Sequence, residues 1–103
     1  MSQVSVIAKI TAKEGMRDEL IAALQFGLDN VADQPGTLVY VLHTDSGDAN
    51  VLWFYETYTD QDALMAHSGA AWFKELGPKI GPFMAARPEL SFLAPVAGKG
   101  LAG

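Results

Sequence analysis

Three side chains in "YETYTDQDALMAH", Glu56, Tyr58 and His67, are of types that can carry, donate or accept protons. Glu56 comes directly after the apolar run "NVLWF". A carboxylate buried there without a partner is costly, so it must pair, reach water or stay protonated. A desolvated carboxyl group has a raised pKa and can exchange protons near neutrality, which is general acid–base chemistry. Histidine is the other natural proton carrier at that pH. Plainer readings stand beside these. Glu56 could pair with a basic residue or accept backbone N–H bonds, Tyr58 could be a packed aromatic, and His67 could serve only the end of a helix.

The spacing suggests what surrounds these groups. The period of two along a strand puts Asn50, Leu52, Phe54, Glu56 and Tyr58 on one face. His67 ends the short helical stretch that follows, so the chain can return it to that face. Trp72 lies five residues further on. Apolar walls with a few convergent polar groups describe a small-molecule pocket. The expected catalytic set is Glu56, His67 and Tyr58, with Trp72 and His43 as substrate-binding residues. Trp72, spaced with Leu76, also fits a core position, and His43 fits an exposed or structural one.

Other chemistries lack their residues. The chain has no cysteine and only two histidines, so thiolate chemistry and cysteine-based metal sites are excluded. No HExxH-type spacing supports a metal centre. No glycine-rich loop joins a strand to a helix for a dinucleotide or phosphate, and no nucleophile elbow is present. The expectation is a protein with no metal and no cofactor.

The elements that must position these residues follow from periodicity. "QVSVIAKIT" alternates as a strand, and "MRDELIAALQFGLDNVADQ" carries Leu20, Leu24, Leu28 and Val31 on one helical stripe. Pro35-Gly36 ends that helix. "TLVYVLHT" and "NVLWFYETY" form an antiparallel pair across the polar "DSGDAN". "TDQDALMAH" opens a second helix, with Thr59 as the cap and Asp62 in the capping-box position. Ser68-Gly69 breaks it, "AAWFKEL" adds a helical stretch, and Pro78, Gly81 and Pro82 stop any long continuation. "RPELSFLAPV" reads as the last strand. The order β-α-β-β-α-β is the ferredoxin-like α+β arrangement, a four-stranded antiparallel sheet with both helices on one face. One domain over residues 1–95 and a flexible tail over 96–103 are expected.

Hydrophobic residues make up 50% of the 103-residue chain and charged residues only 18%. Both faces of the middle strands are apolar: Leu52 and Phe54 oppose Val51, Trp53 and Tyr55, while Val39 and Val41 oppose Leu38, Tyr40 and Leu42. One face can meet the helices. The other needs a partner, and the simplest is a second copy about a two-fold axis. The net charge of −5, with no basic cluster, argues against nucleic acid and anionic membrane as partners. No apolar run approaches the roughly 20 residues that span a bilayer, and "MSQVSVIAKI" lacks a signal peptide's pattern. A cytoplasmic location is expected.

Three segments, "VIAKITAKEGMRDEL", "QPGTLVYVLHTD" and "FYETYTDQDALMAH" with "WF" close behind, give the chain a family resemblance from about Val4 to Leu93. It resembles the antibiotic biosynthesis monooxygenase (ABM) domains of the dimeric α+β barrel superfamily. The resemblance implies a ferredoxin-like fold and a homodimer. It also implies a cofactor-free oxygenase acting with molecular oxygen on a small aromatic such as a quinol, phenol or anthrone-type polyketide. The anthrone-type oxygenases line their pocket with Asn and aromatic residues, which the resemblance assigns here to Asn50 and Phe54 as further substrate-binding residues. Other members degrade haem, isomerise a small phosphorylated metabolite, or have no known activity. The haem-degrading branch uses an Asn on the first strand and a Trp where this chain has Tyr58. "VSVIAKI" contains no Asn, which disfavours that branch. A non-catalytic, small-molecule-binding or stress-associated dimer of the same fold, or an isomerase of a small metabolite, is the alternative.

Overall fold

A computed structural model describes residues 3–101. Strand β1 (Val4–Thr11) leads through a tight turn at Gly15 into helix α1 (Arg17–Val31). Gly15 has φ +76°, a left-handed conformation that glycine adopts without steric cost. Strands β2 (Thr37–Thr44) and β3 (Val51–Tyr58) follow, then helices α2 (Gln61–Gly69) and α3 (Ala71–Ile80). A 3-10 turn (Gly81–Phe83) precedes β4 (Glu89–Leu93). The sheet order is β2-β3-β1-β4 and every pairing is antiparallel. This is the expected ferredoxin-like α+β arrangement, with the second helical segment split into α2 and α3.

The register sorts the strand residues by face. Val6 pairs with Glu56, Ala8 with Phe54 and Ile10 with Leu52, and on the other side of β3 Tyr40 pairs with Glu56 and Leu42 with Phe54. These residues share the helix-covered face. There Ala8, Ile10, Leu52 and Phe54 pack with Leu20 and Leu24 of α1 and Leu76 and Ile80 of α3. A smaller cluster of Val6, Tyr58 and Leu64 closes the end nearer α2. Leu20, Leu52 and Tyr58 are wholly shielded from solvent.

The other sheet face is uncovered by helices. Leu38, Val41 and Tyr55 are 46%, 46% and 42% exposed there. A bulge at Leu38 breaks the β2–β3 register between Thr37 and Val39. Trp53 donates its Nε1–H to Asp45 at 2.8 Å on this face. Residues 94–101 run without regular structure, and Pro95 and Leu101 help to wall an open groove of about 680 Å³ over Ser5, Val39, Tyr55 and Thr57. Positions 102 and 103 of the expected tail lie outside the described residues.

Several boundaries differ from the periodicity. Helix α1 stops at Val31, not at Gln34: Asp33 N–H bonds Asn30 O and Gln34 N–H bonds Val31 O as the chain turns. The residue before a proline avoids the helical region, so Pro35 enforces an early exit. The cap of α2 is Asp60, whose side chain accepts from Ala63 N–H at 2.8 Å, and not Thr59. Pro78 lies inside α3, where the helix continues to Ile80. Strand β4 is shorter than "RPELSFLAPV".

The α1–β2 loop is pressed on α2. A Cβ added at Gly36 would lie 2.6 Å from the Ala63 side chain, and Thr59 N–H bonds Gly36 O at 2.9 Å. Only glycine permits this approach. Gly36→Ala should therefore destabilise the fold by about 1–3 kcal/mol through overpacking against Ala63. Urea unfolding of the two proteins measures this, and equal midpoints would contradict the packing.

Candidate active site

Glu56 and Tyr58 sit two residues apart on β3 and so project from the same face. Tyr58 O–H donates to Glu56 Oε1 at 2.5 Å, the length of a charge-assisted O–H···O bond. Glu56 is 8% exposed and Tyr58 is fully covered. No lysine or arginine pairs with Glu56 among the described residues, whose ion pairs are Lys9–Glu89 and Arg17–Asp18. Burial pushes the Glu56 carboxyl above the ordinary carboxylate range, and the Tyr58 bond pulls the other way. The Tyr58 phenol is driven up by burial and then by its bond to Glu56. Tyr40, opposite Glu56 on β2, is driven up by burial and then by the Glu56 charge. Both phenols therefore stay protonated at neutral pH.

Helix α2 supplies His67. Leu64 and His67 lie one turn apart and are its buried residues. The His67 ring packs within 5.0–5.3 Å, centroid to centroid, of Tyr40, Tyr58, Trp72 and Phe73. It is 3% exposed. Burial lowers its pKa to about 4, so the imidazole is neutral near pH 7. A neutral ring cannot serve as the positive charge at a helix C-terminus. Its Nδ1 lies 2.8 Å from Gln34 Oε1.

Helix α1 packs on this cluster at Gly27, where a Cβ would meet Trp72 and Leu76 at 3.4 Å and the Tyr40 hydroxyl at 3.8 Å, ordinary van der Waals distances. Phe54 stacks on Tyr40 at 4.6 Å. The structure thus brings Glu56, Tyr58, His67, Phe54 and Trp72 into one packed aromatic cluster between β2, β3 and the helices.

Two expected site residues lie elsewhere. Asn50 precedes β3 at its far end, six residues from Glu56, or roughly 20 Å along an extended strand. Its side chain donates to Glu14 at 2.9 Å. It lies in the turn before β3, outside the strand alternation that would place it on the face of Glu56. His43 is exposed and pairs in register with Trp53, which places it on the open face. Three cluster residues escaped the sequence reading: Tyr40, Gln34 and Phe73. Tyr40 had a usable signal, because alternation with Leu42 puts it on the face that meets Glu56 once the hairpin register is set. Gln34 and Phe73 depend on how a loop and a helix break are folded, which periodicity does not encode.

The profile of the antibiotic biosynthesis monooxygenase family matches residues 3–77. The chain belongs to this family. No curated protein matches it. Among solved structures, a Caulobacter crescentus protein described as a candidate antibiotic biosynthesis monooxygenase is 30% identical. That match has a TM-score of 0.86 and covers 93% of this chain and 92% of the other. A Chloroflexus aurantiacus protein with the same description is 30% identical, with a TM-score of 0.80 and 98% and 100% coverage. A Mycobacterium tuberculosis protein is 25% identical, with a TM-score of 0.86 and 96% and 100% coverage. No helix among the described residues is long and apolar enough to cross a membrane.

Burial of neutral His67 has a consequence for stability. Its folded pKa, about 4, lies below the ordinary value of 6.5. Between those values the unfolded chain binds the extra proton, so stability falls as pH falls from 6.5 towards 4. Glu56 works oppositely: its raised pKa gives a contribution present at low pH and lost as pH rises through its folded value. His67→Gln should flatten the acid-side fall in urea midpoint relative to the parent protein. An identical pH slope in both proteins would show that His67 titrates in the fold as it does in water.

Proposed function

We propose that this protein is a cofactor-independent monooxygenase that oxidises a small hydroxylated aromatic, of the quinol, phenol or anthrone class, with molecular oxygen. The observation that carries the reading is a cation-free buried carboxyl group hydrogen-bonded to the Tyr58 phenol, whose ring packs on the neutral His67 imidazole in an aromatic cluster. Flat aromatic walls suit a flat aromatic substrate. Membership of a family associated with monooxygenase activity supports the same reading.

In this mechanism Glu56 or His67 takes a proton from the bound substrate. The resulting anion is electron-rich and passes an electron to oxygen. Recombination forms a carbon–oxygen bond, and loss of water completes the oxidation. At a CH2 carbon, one oxygen atom becomes the new carbonyl and the other leaves as water with the two protons removed from that carbon. The substrate supplies all the electrons. Tyr58 holds the Glu56 carboxyl in place, while Phe54 and Trp72 flank the substrate and limit water.

The alternative is a non-catalytic, small-molecule-binding dimer of the same fold. One observation favours it: every buried side-chain nitrogen and oxygen among the described residues already has a hydrogen-bond partner. Oxygen uptake across a panel of quinols and anthrones separates the two. Under the monooxygenase reading, Glu56→Gln or His67→Ala lowers turnover roughly a hundredfold or more, the scale of lost acid–base catalysis. Circular dichroism should show that both variants stay folded. No uptake by the parent protein with any member of the panel, or unchanged rates in both variants, sinks the reading. A stoichiometric flavin or iron in the active protein would overturn its cofactor-free form.

The proposed assembly is a homodimer through the open sheet face, with Trp53 and Tyr55 at the interface. Exposed Leu38, Val41 and Tyr55 supply the apolar surface. Light scattering at micromolar concentration should give twice the chain mass. A monomer at that concentration would contradict the assembly.

A further inference from the structure

We propose that Gln34 is a positioning residue for His67, holding the ring proton on Nδ1 and leaving Nε2 as the ring's basic nitrogen among Tyr40, Tyr58, Trp72 and Phe73. A neutral imidazole has two tautomers, and the partner of one nitrogen decides which is present. Histidine in water favours the proton on Nε2, so the Nδ1–H form needs an acceptor. Gln34 provides one. Its Oε1 lies 2.8 Å from His67 Nδ1 and 3.3 Å from Thr37 Oγ1. With the Thr37 hydroxyl donating, the amide presents its oxygen at this point and Nδ1 must donate as well.

The surrounding backbone holds Gln34 in place. Its N–H bonds Val31 O at 2.9 Å and its carbonyl accepts from Thr37 N–H at 3.2 Å. Two residues on, Gly36 presses against Ala63. Ala63 is one helical turn before His67 on α2, so docking at Ala63 sets Gln34 beside the His67 ring. The short sequence "DQPGT" therefore does two things: the proline ends α1 early, and the glycine lets the loop reach α2. Tyr40 from β2 and Tyr58 from β3 are the titratable groups that pack on the ring, and both phenols are held protonated. Asp60 and Asp62 are the acids of α2 itself, and α3 meets the ring with Trp72 and Phe73. Burial, with no charged neighbour, sets the low pKa of His67. The identity of the proton-bearing nitrogen is thus left to Gln34.

The catalytic consequence rests on the monooxygenase reading, but the tautomer does not, and it can be measured without substrate. Histidine-labelled protein examined by two-bond 1H–15N NMR between pH 6 and 8 reports which nitrogen of His67 is protonated. The parent should show Nδ1–H. Gln34→Leu should lose that signature and move to Nε2–H, and any turnover should fall about tenfold or more. Gln34→Glu keeps an acceptor, so it should keep Nδ1–H and raise the His67 pKa. An Nε2–H parent would mean that the Gln34 amide points the other way, and would overturn the proposal. So would a Gln34→Leu protein that retains Nδ1–H. If Gln34→Leu does not fold, the parent spectrum and the Gln34→Glu titration still decide. Correct tautomers with no oxygen uptake would sink the monooxygenase reading alone, and turnover from an Nε2–H ring would sink this proposal alone.

Discussion

Glu56 is a carboxyl group taken out of water without a cation to meet it, and the α2 end of the interior is arranged around that cost. Transfer of a polar group into such a place is unfavourable unless hydrogen bonds replace those lost to water. Tyr58 supplies one at 2.5 Å. Tyr40 lies across from Glu56 on β2, and the helices roof the group from solvent. The three groups then shape one another. Charge on Glu56 makes it harder to ionise either phenol, and the Tyr58 bond steadies the carboxylate against burial. A leucine or methionine would fill the same volume without any of these costs, by the logic that apolar replacements of buried charges are often neutral or stabilising. That comparison favours a chemical role for Glu56 over a packing one.

The same end of the domain is also where local chain geometry matters most. The core between α1, α3 and the sheet is ordinary close packing of Leu20, Leu24, Leu52 and Leu76, and such cores tolerate apolar exchange of similar volume. The aromatic cluster depends instead on a close approach at one glycine. Gly36 lets the α1–β2 loop reach α2, where a Cβ would lie 2.6 Å from the Ala63 side chain.

What the sequence made legible follows from which forces are periodic. Alternation along "NVLWFYETY" placed Leu52, Phe54, Glu56 and Tyr58 on one face, and register with β1 and β2 puts that face under the helices. The helical spacing of Leu64 and His67 turned the histidine inward. Alternation gives a side and not a strand end, which is why Asn50 falls in the turn before β3, bonded to Glu14, far from Glu56. His43 followed the same rule in the other direction, since the register with Trp53 fixes it on the open face. Gln34 was hidden because its place depends on an early helix exit and a steric gap at Gly36, and a single sequence marks such a gap only as "PG". Asp60, not Thr59, caps α2, because two adjacent residues can both serve as caps and backbone geometry chooses between them.

Strand β3 also links the cluster to the open face. Phe54, Glu56 and Tyr58 point inward, while Trp53, Tyr55 and Thr57 alternate with them on the outer face. In the proposed dimer a second sheet would cover Tyr55 and dry the outer side of the same strand. The backbone beneath Glu56 would then be enclosed on both faces, and the low dielectric that raises its pKa would extend through the sheet. Covering the open face would also leave β3 less room to shift, and Glu56 and Tyr58 with it. In that proposed dimer, assembly and site chemistry would be tied by the period of two: the residues proposed to meet a partner subunit and those proposed to meet a substrate occupy successive positions of one strand.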